Sequence, residues 1–135
     1  MENISLEFNS NKGFSFRKKE RLCSKKIIDK LFSEGTSFLI FPLKIHVIET
    51  KLPIQVPVQA AFSVSKKVFK KAVVRNLLKR RMREAYRLNK NALYLNSGER
   101  QLAVFFIYIG KEITEYKQIE IAMQKALKKM LTLLS

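Results

Sequence analysis

A chain of 135 residues, 47% hydrophobic and 28% charged, is long enough for one domain with its own core, too short for two, and too apolar to be disordered. Lys and Arg outnumber Asp and Glu by 27 to 11, a formal net charge of +16, and such a field draws polyanions, either nucleic acid or an anionic membrane surface. No stretch reaches the roughly 18 consecutive apolar residues that a membrane-spanning helix needs.

Residues 1–13 hold Asn, Ser and Gly with few spaced hydrophobes, and are expected to form a flexible extension ahead of a domain over 14–135. Glu2, Glu7 and the lack of a long apolar run are unlike a secretory signal, so the expected location is cytoplasmic. Phe14-Ser15-Phe16-Arg17 opens the ordered part, with two aromatics beside Arg17, Lys18 and Lys19 that can pack or stack. Cys23 has no partner for an internal disulfide and no CxxC spacing; it is expected as a free, partly buried thiol. Ser24 is a good N-cap for a short helix with Ile27, Ile28, Leu31 and Phe32 on one face, ending at Gly35. From Phe38 to Ile48 the pattern predicts one strand, with Leu43, Ile45 and Val47 alternating with Lys44, His46 and Ile48. Pro53 and Pro57 interrupt it, making 50–55 a connection. A second strand over Val58–Ser65 sets Val58, Ala60, Phe62 and Val64 against Gln59, Ala61, Ser63 and Ser65.

The stretch Lys66–Lys90 organises the chain: eleven Lys or Arg against one acid, Glu84. Wound as a helix from about Lys70, it places Arg75, Asn76, Lys79, Arg80, Arg83, Arg87 and Lys90 on one arc. Val74, Leu77, Leu78, Met82, Ala85 and Leu88 fall on the other arc, and Arg81 lies inside it, so its stem must snorkel. Arg75–Lys79, Lys79–Arg83 and Arg83–Arg87 are like-charge i,i+4 pairs, each costing roughly 0.2–0.5 kcal/mol in an isolated helix. A solubilising face intersperses both signs, so a stripe that opposes its own helix points to an external anion. Asn76, a mediocre helix former, adds an amide that can donate to and accept from a nucleotide.

Beyond the basic helix, 89–100 reads as a polar loop turning at Asn96-Ser97-Gly98. LAVFFIYI over 102–109 reads as a central strand covered on both faces. Thr114 can cap a final helix with a stripe of Tyr116, Ile119, Met123, Leu127, Met130 and Leu134. Together these predict an α+β, two-layer single domain: about four strands in a mixed sheet packed with three helices, in the order αββαβα.

Arg75-Asn76-x-x-Lys79-Arg80-x-x-Arg83-Glu84, preceded by Phe62-Ser63-Val64-Ser65-Lys66-Lys67, resembles the signature of the bacterial ribonuclease P protein subunit. Arg21-Leu22 and Leu31-Phe32-Ser33-Glu34-Gly35-Thr36 extend the resemblance from about residue 16 to the C-terminus. It implies a ribosomal-protein-like fold whose βαβ crossover is left-handed, where generic rules make about 98% right-handed. It also implies an accessory role in removing the 5′ leader of precursor tRNA, with a catalytic RNA subunit as obligate partner that holds the magnesium. On that resemblance Lys66, Lys67, Lys70, Lys71, Arg75, Asn76, Lys79, Arg80, Arg83 and Arg87 face RNA, the cations on phosphates. Arg17, Ile28, Phe32, His46 and Ser65 would line the cleft for the leader, where bases stack on aromatics. Ile28 and His46 stand where the family often has aromatics, and Phe69 lies in a joint where the motif commonly has glycine.

The residues agree that the chain does not break bonds itself. No P-loop, HExxH, GxSxG or dinucleotide fingerprint occurs. Asp29 is the only aspartate and the ten glutamates are scattered, so the converging carboxylates of a magnesium site are not expected. His46, the only histidine, cannot supply both acid and base. The alternatives are a ribosomal-type structural RNA-binding protein and a membrane-surface protein with a basic amphipathic helix. The second conflicts with the need for the apolar arc to cover the sheet.

Overall fold

Helix α1 (Lys25–Glu34), strands β1 (Thr36–Ile40), β2 (Leu43–Glu49) and β3 (Val58–Val64), helices α2 (Ala72–Asn89) and α3 (Asn91–Asn96), strand β4 (Leu102–Tyr108) and helix α4 (Tyr116–Leu134) follow one another along residues 16–134, which the computed structural model of the protein describes. The extension expected over 1–13, and Phe14 with it, lies outside the described residues. The four strands form one mixed sheet in the order β1-β2-β4-β3. β1 and β4 flank β2 antiparallel, whereas β3 and β4 are parallel and joined through α2.

Alternation divides the sheet into two faces. Leu43, Ile45 and Val47 of β2 and Val104, Phe106 and Tyr108 of β4 point toward α2 and α4, meeting Leu78, Met82 and Tyr86 from one helix and Ile119, Met123 and Met130 from the other. Each such side chain, fully buried, contributes about 1.5–3 kcal/mol. On the opposite face Leu31 of α1 packs with Leu22, Leu52, Val56 and Ala103, backed by Ile27, Ile28, Ile48 and Phe105. β4 is thus covered from both sides, as its unbroken apolar run requires.

The single strand expected over Phe38–Ile48 is two strands. The chain reverses at Phe41 and Pro42, with Ile40 paired to Leu43, because proline has no N–H to give to a ladder and marks a turn. The inward residues of β2 are those the alternation predicts. Ser24 caps α1, its Oγ accepting from the Ile27 N–H at 3.3 Å. Gly35 ends α1 by close approach: a Cβ there would sit 2.4 Å from the Leu31 carbonyl oxygen.

Three further expectations are corrected. Within 89–100 the chain forms the short helix α3, because Leu93 is buried in the core and pulls it into a turn of helix; the turn at Gly98, with φ of 63°, is as expected. Thr114 shares a hydrogen bond with the buried Tyr108 hydroxyl at 2.5 Å, and the carbonyl that opens the last helix is that of Glu115, which accepts from the Gln118 and Ile119 N–H groups. Cys23 is exposed, because Leu22 takes the inward place beside it.

Candidate nucleic-acid interface

Tyr86 decides which side of α2 faces out. Its ring is fully buried and meets Phe16, Phe62 and Phe106 at centroid distances of 5.7, 5.7 and 5.6 Å. Burial pushes its hydroxyl well above the ordinary tyrosine range. With Tyr86, Leu78, Met82 and Ala85 inward, the helix is turned relative to the apolar arc read from the sequence, and Leu88 is left 38% exposed. The outward face carries Asn76, Arg80 and Arg83, with Lys79 half-buried at its margin. Among the described residues, no carboxylate pairs with Lys79, Arg80 or Arg83.

Three cations of the expected stripe are engaged within the protein. Lys90 is buried, with its ammonium on the Glu20 carboxylate and 4.7 Å from the Tyr94 ring centre; it belongs to the core boundary, not to the outward arc. Burial alone would raise the Glu20 carboxyl, but hydrogen bonds from Lys90, Tyr94 and the Arg17 backbone outweigh it and hold it below the usual range. Arg87 grips Glu84 at 2.8 Å and 3.1 Å, so this acid serves Arg87 three residues on and not Arg80. Arg75 directs Nη1 to the carbonyls of Phe69 and Lys70 at 2.8 and 2.9 Å, fastening the joint to the helix. Arg81 snorkels as expected, and its Nη1 reaches the Thr114 carbonyl at 2.6 Å.

The joint between β3 and α2 presents Lys66, Lys67, Lys70 and Lys71 to solvent. Where the family motif often has glycine, Phe69 packs edge-on against Tyr108 at 5.9 Å, and its N–H donates to the Ser65 carbonyl at 3.0 Å. Ser65 itself is exposed, its Oγ accepting from the Lys67 N–H at 3.1 Å.

On the sheet face shared with α1, three rings gather. Phe32, 45% exposed, lies 4.5 Å from His46 and 5.2 Å from Phe105 by ring centres. Phe105 was not singled out from the sequence, yet alternation alone sends the doublet Phe105-Phe106 to opposite faces, and the register sets Phe105 directly beside both His46 and Ala61. Burial, helped by the nearby Lys44 charge, holds the His46 ring below its ordinary pKa. Ala61, Ser63 and then Ser65 continue this face along β3 toward the basic joint. Ile28 is half-buried among the residues that hold α1 to the sheet. Arg17 does not join the rings: its segment bridges to the outer edge of β3, three strand spacings or roughly 14 Å from β2.

The outward face of α2 offers a phosphate backbone planar bidentate donors from arginine, while the rings form a separate surface on the opposite face of the sheet, where unpaired bases can stack. No group of three or more His, Cys, Asp or Glu side chains that could hold a metal occurs among the described residues.

The family model described as Ribonuclease P matches residues 16–131. The Ribonuclease P protein component of Porphyromonas gingivalis is 38% identical over 117 residues, covering 84% of this chain and 85% of that protein. That of Chlorobaculum tepidum is 36% identical over 94 residues, 62% of this chain and 60% of the other. In fold, the chain is similar to the RNase P protein of Staphylococcus aureus, with a TM-score of 0.67 and 21% identity over 82% of this chain and 94% of that one. The RNase P protein from Thermotoga maritima gives a TM-score of 0.66 and 23% identity, covering 82% and 96%.

Proposed function

The chain belongs to the bacterial ribonuclease P protein family and is the protein subunit of that tRNA 5′-processing ribonuclease, and on this premise we propose how its surface divides the work. The outward face of α2, with Asn76, Lys79, Arg80 and Arg83, and the joint cations Lys66, Lys67, Lys70 and Lys71 bind the catalytic RNA subunit. Arg75 and Arg87 flank this surface, the first by bracing the joint, the second as an arginine already shared with Glu84. The rings of Phe32, His46 and Phe105 receive unpaired bases of the 5′ leader of precursor tRNA, with Ser65 at the rim. Bond cleavage belongs to the RNA subunit, which also holds the magnesium; among the described residues of this chain no group of three or more His, Cys, Asp or Glu side chains offers such an ion a site. The work takes place in the cytoplasm.

The observation that carries the reading is the presence of two surfaces on one sheet: the outward face of α2, whose Lys79, Arg80 and Arg83 have no carboxylate partner among the described residues, and the aromatic patch on the opposite face. Phosphate contacts position a strand without reading it, and stacking accepts any base, which suits a substrate set with varied leaders. Reconstitution tests it. The full chain, added to a bacterial ribonuclease P RNA with precursor tRNA, should raise cleavage at low magnesium, and the protein alone should cleave nothing. A structural RNA-binding protein would bind the RNA and leave cleavage unchanged.

A further inference from the structure

A second cationic helix face lies on α4. Wound at 100° per residue, Lys117, Lys125, Lys128 and Lys129 fall within about 120° of one another, and all four are exposed. Lys129 holds its ammonium 4.9 Å from the Phe38 ring centre, toward β1. The other three have no carboxylate partner among the described residues and span about 16 Å of the helix axis. Lys125 stands three residues from Lys128 and four from Lys129, like-charge spacings that oppose the helix. A face that served solubility alone would intersperse both signs. Glu120 is the only acid of α4, and it is engaged in the seam with α2, where its carboxylate accepts from the Asn89 amide at 3.3 Å and the Tyr116 hydroxyl at 3.4 Å. In the same seam the Gln124 amide donates to Asn89 at 3.1 Å, and Arg81 of α2 reaches the Thr114 carbonyl ahead of α4. Both helices cover one face of the sheet, so their outward faces look the same way, on axes about 8–10 Å apart.

We propose that a double-helical segment of the catalytic RNA lies across α2 and α4, its phosphates reaching Lys117, Lys125 and Lys128 as well as the outward face of α2. The inference rests on the reading that α2 binds the catalytic RNA; it adds a second helix to that contact and the form of RNA it takes. Unpaired RNA is held by stacking its bases on rings, and the outward arc of α4 offers none, its other members being Gln118, Ile121, Gln124 and Thr132. Lysines without rings are point charges that meet a phosphate from any direction, which suits a paired strand whose bases are turned inward and whose shape and backbone are what a protein can touch.

The test compares full-length variants for binding to ribonuclease P RNA, and of the resulting complexes to precursor tRNA, across a salt series. Lys117→Ala/Lys125→Ala/Lys128→Ala removes three phosphate contacts and leaves the Asn89 seam intact. For the catalytic RNA the slope of log affinity on log salt should fall by about 2 to 3, with roughly a 100-fold loss near 0.15 M salt, while urea unfolding of the free protein stays at or above the parent. Lys25→Ala/Lys26→Ala/Lys51→Ala, exposed cations of α1 and the β2–β3 connection, removes equal charge and should stay near the parent in this arm. If the α4 variant matches that control, or loses affinity only at the precursor step, the inference is overturned. A parallel Lys79/Arg80/Arg83 alanine variant separates the two readings: its loss without an α4 loss sinks the α4 contact alone, and no loss in either sinks both. Ile121, 43% exposed amid the lysines, gives a second measurement. An iron chelate tethered at Ile121→Cys, with Cys23→Ser removing the one native cysteine, should cut paired segments of the catalytic RNA; cuts confined to unpaired segments, or none, contradict the proposal.

Discussion

Neutralising the outward face of α2 should weaken RNA binding without weakening the fold. In Lys79→Ala/Arg80→Ala/Arg83→Ala, three cations without carboxylate partners among the described residues are lost, and Leu78, Met82 and Tyr86 beneath them are untouched. If each cation neutralises one phosphate, the salt slope falls by about 2 to 3, which near 0.15 M salt is a loss of roughly 100-fold, or about 2.7 kcal/mol. The same substitutions remove the Arg75–Lys79, Lys79–Arg83 and Arg83–Arg87 repulsions, each roughly 0.2–0.5 kcal/mol, and install the best helix former. Part of that gain is offset by the packed stem of Lys79. Equilibrium binding to ribonuclease P RNA across a salt series, with urea unfolding of the free protein, reads both quantities. An unchanged slope would refute the assignment of this face to phosphate. So would a binding loss matched by a fall in stability beyond about 1 kcal/mol, since the effect would then be structural.

The buried pair makes the opposite prediction. Glu20→Gln leaves the Lys90 ammonium buried without its carboxylate and should cost about 3–5 kcal/mol in urea unfolding. In the parent, Glu20 binds its proton less readily folded than unfolded, so its contribution is present above the ordinary 4.5 and lost as pH falls through the lowered value. His46 adds a loss with the same sign, starting below its ordinary 6.5; melting temperature should decline as pH falls, and Glu20→Gln should shrink the part of the decline below 4.5, where Glu84, held low by Arg87, still contributes. Arg75→Ala frees the carbonyls of Phe69 and Lys70 and should cost about 1 kcal/mol or more of stability, read by the same unfolding curves. Phe32→Ala should weaken binding of leader-bearing precursor by about 1–3 kcal/mol and leave leaderless tRNA unaffected, as measured by competition against the reconstituted complex.

The one-residue alternation of β2 and β3, the Ser24 cap and the i,i+4 cation stripe were legible because each is a local pattern with a fixed geometric period. The family motif was legible for a similar reason, since spacing on one helix fixes which side chains share a face. What the sequence did not disclose depends on partners far along the chain. Lys90 looks like one more outward cation until Glu20, seventy positions away, is brought under it, and only that paired carboxylate makes the burial of its charge tolerable. Phe105 reads as plain core until β2 and α1 set His46 and Phe32 beside it. Tyr86 turns α2 because the opposing strands happen to present Phe62 and Phe106. Composition, period and spacing thus determined that the chain would be a basic α+β protein with one charged helix face. Tertiary structure decided which cations stay in water, because desolvation and pairing depend on what the fold places within a few ångströms and not on order along the chain.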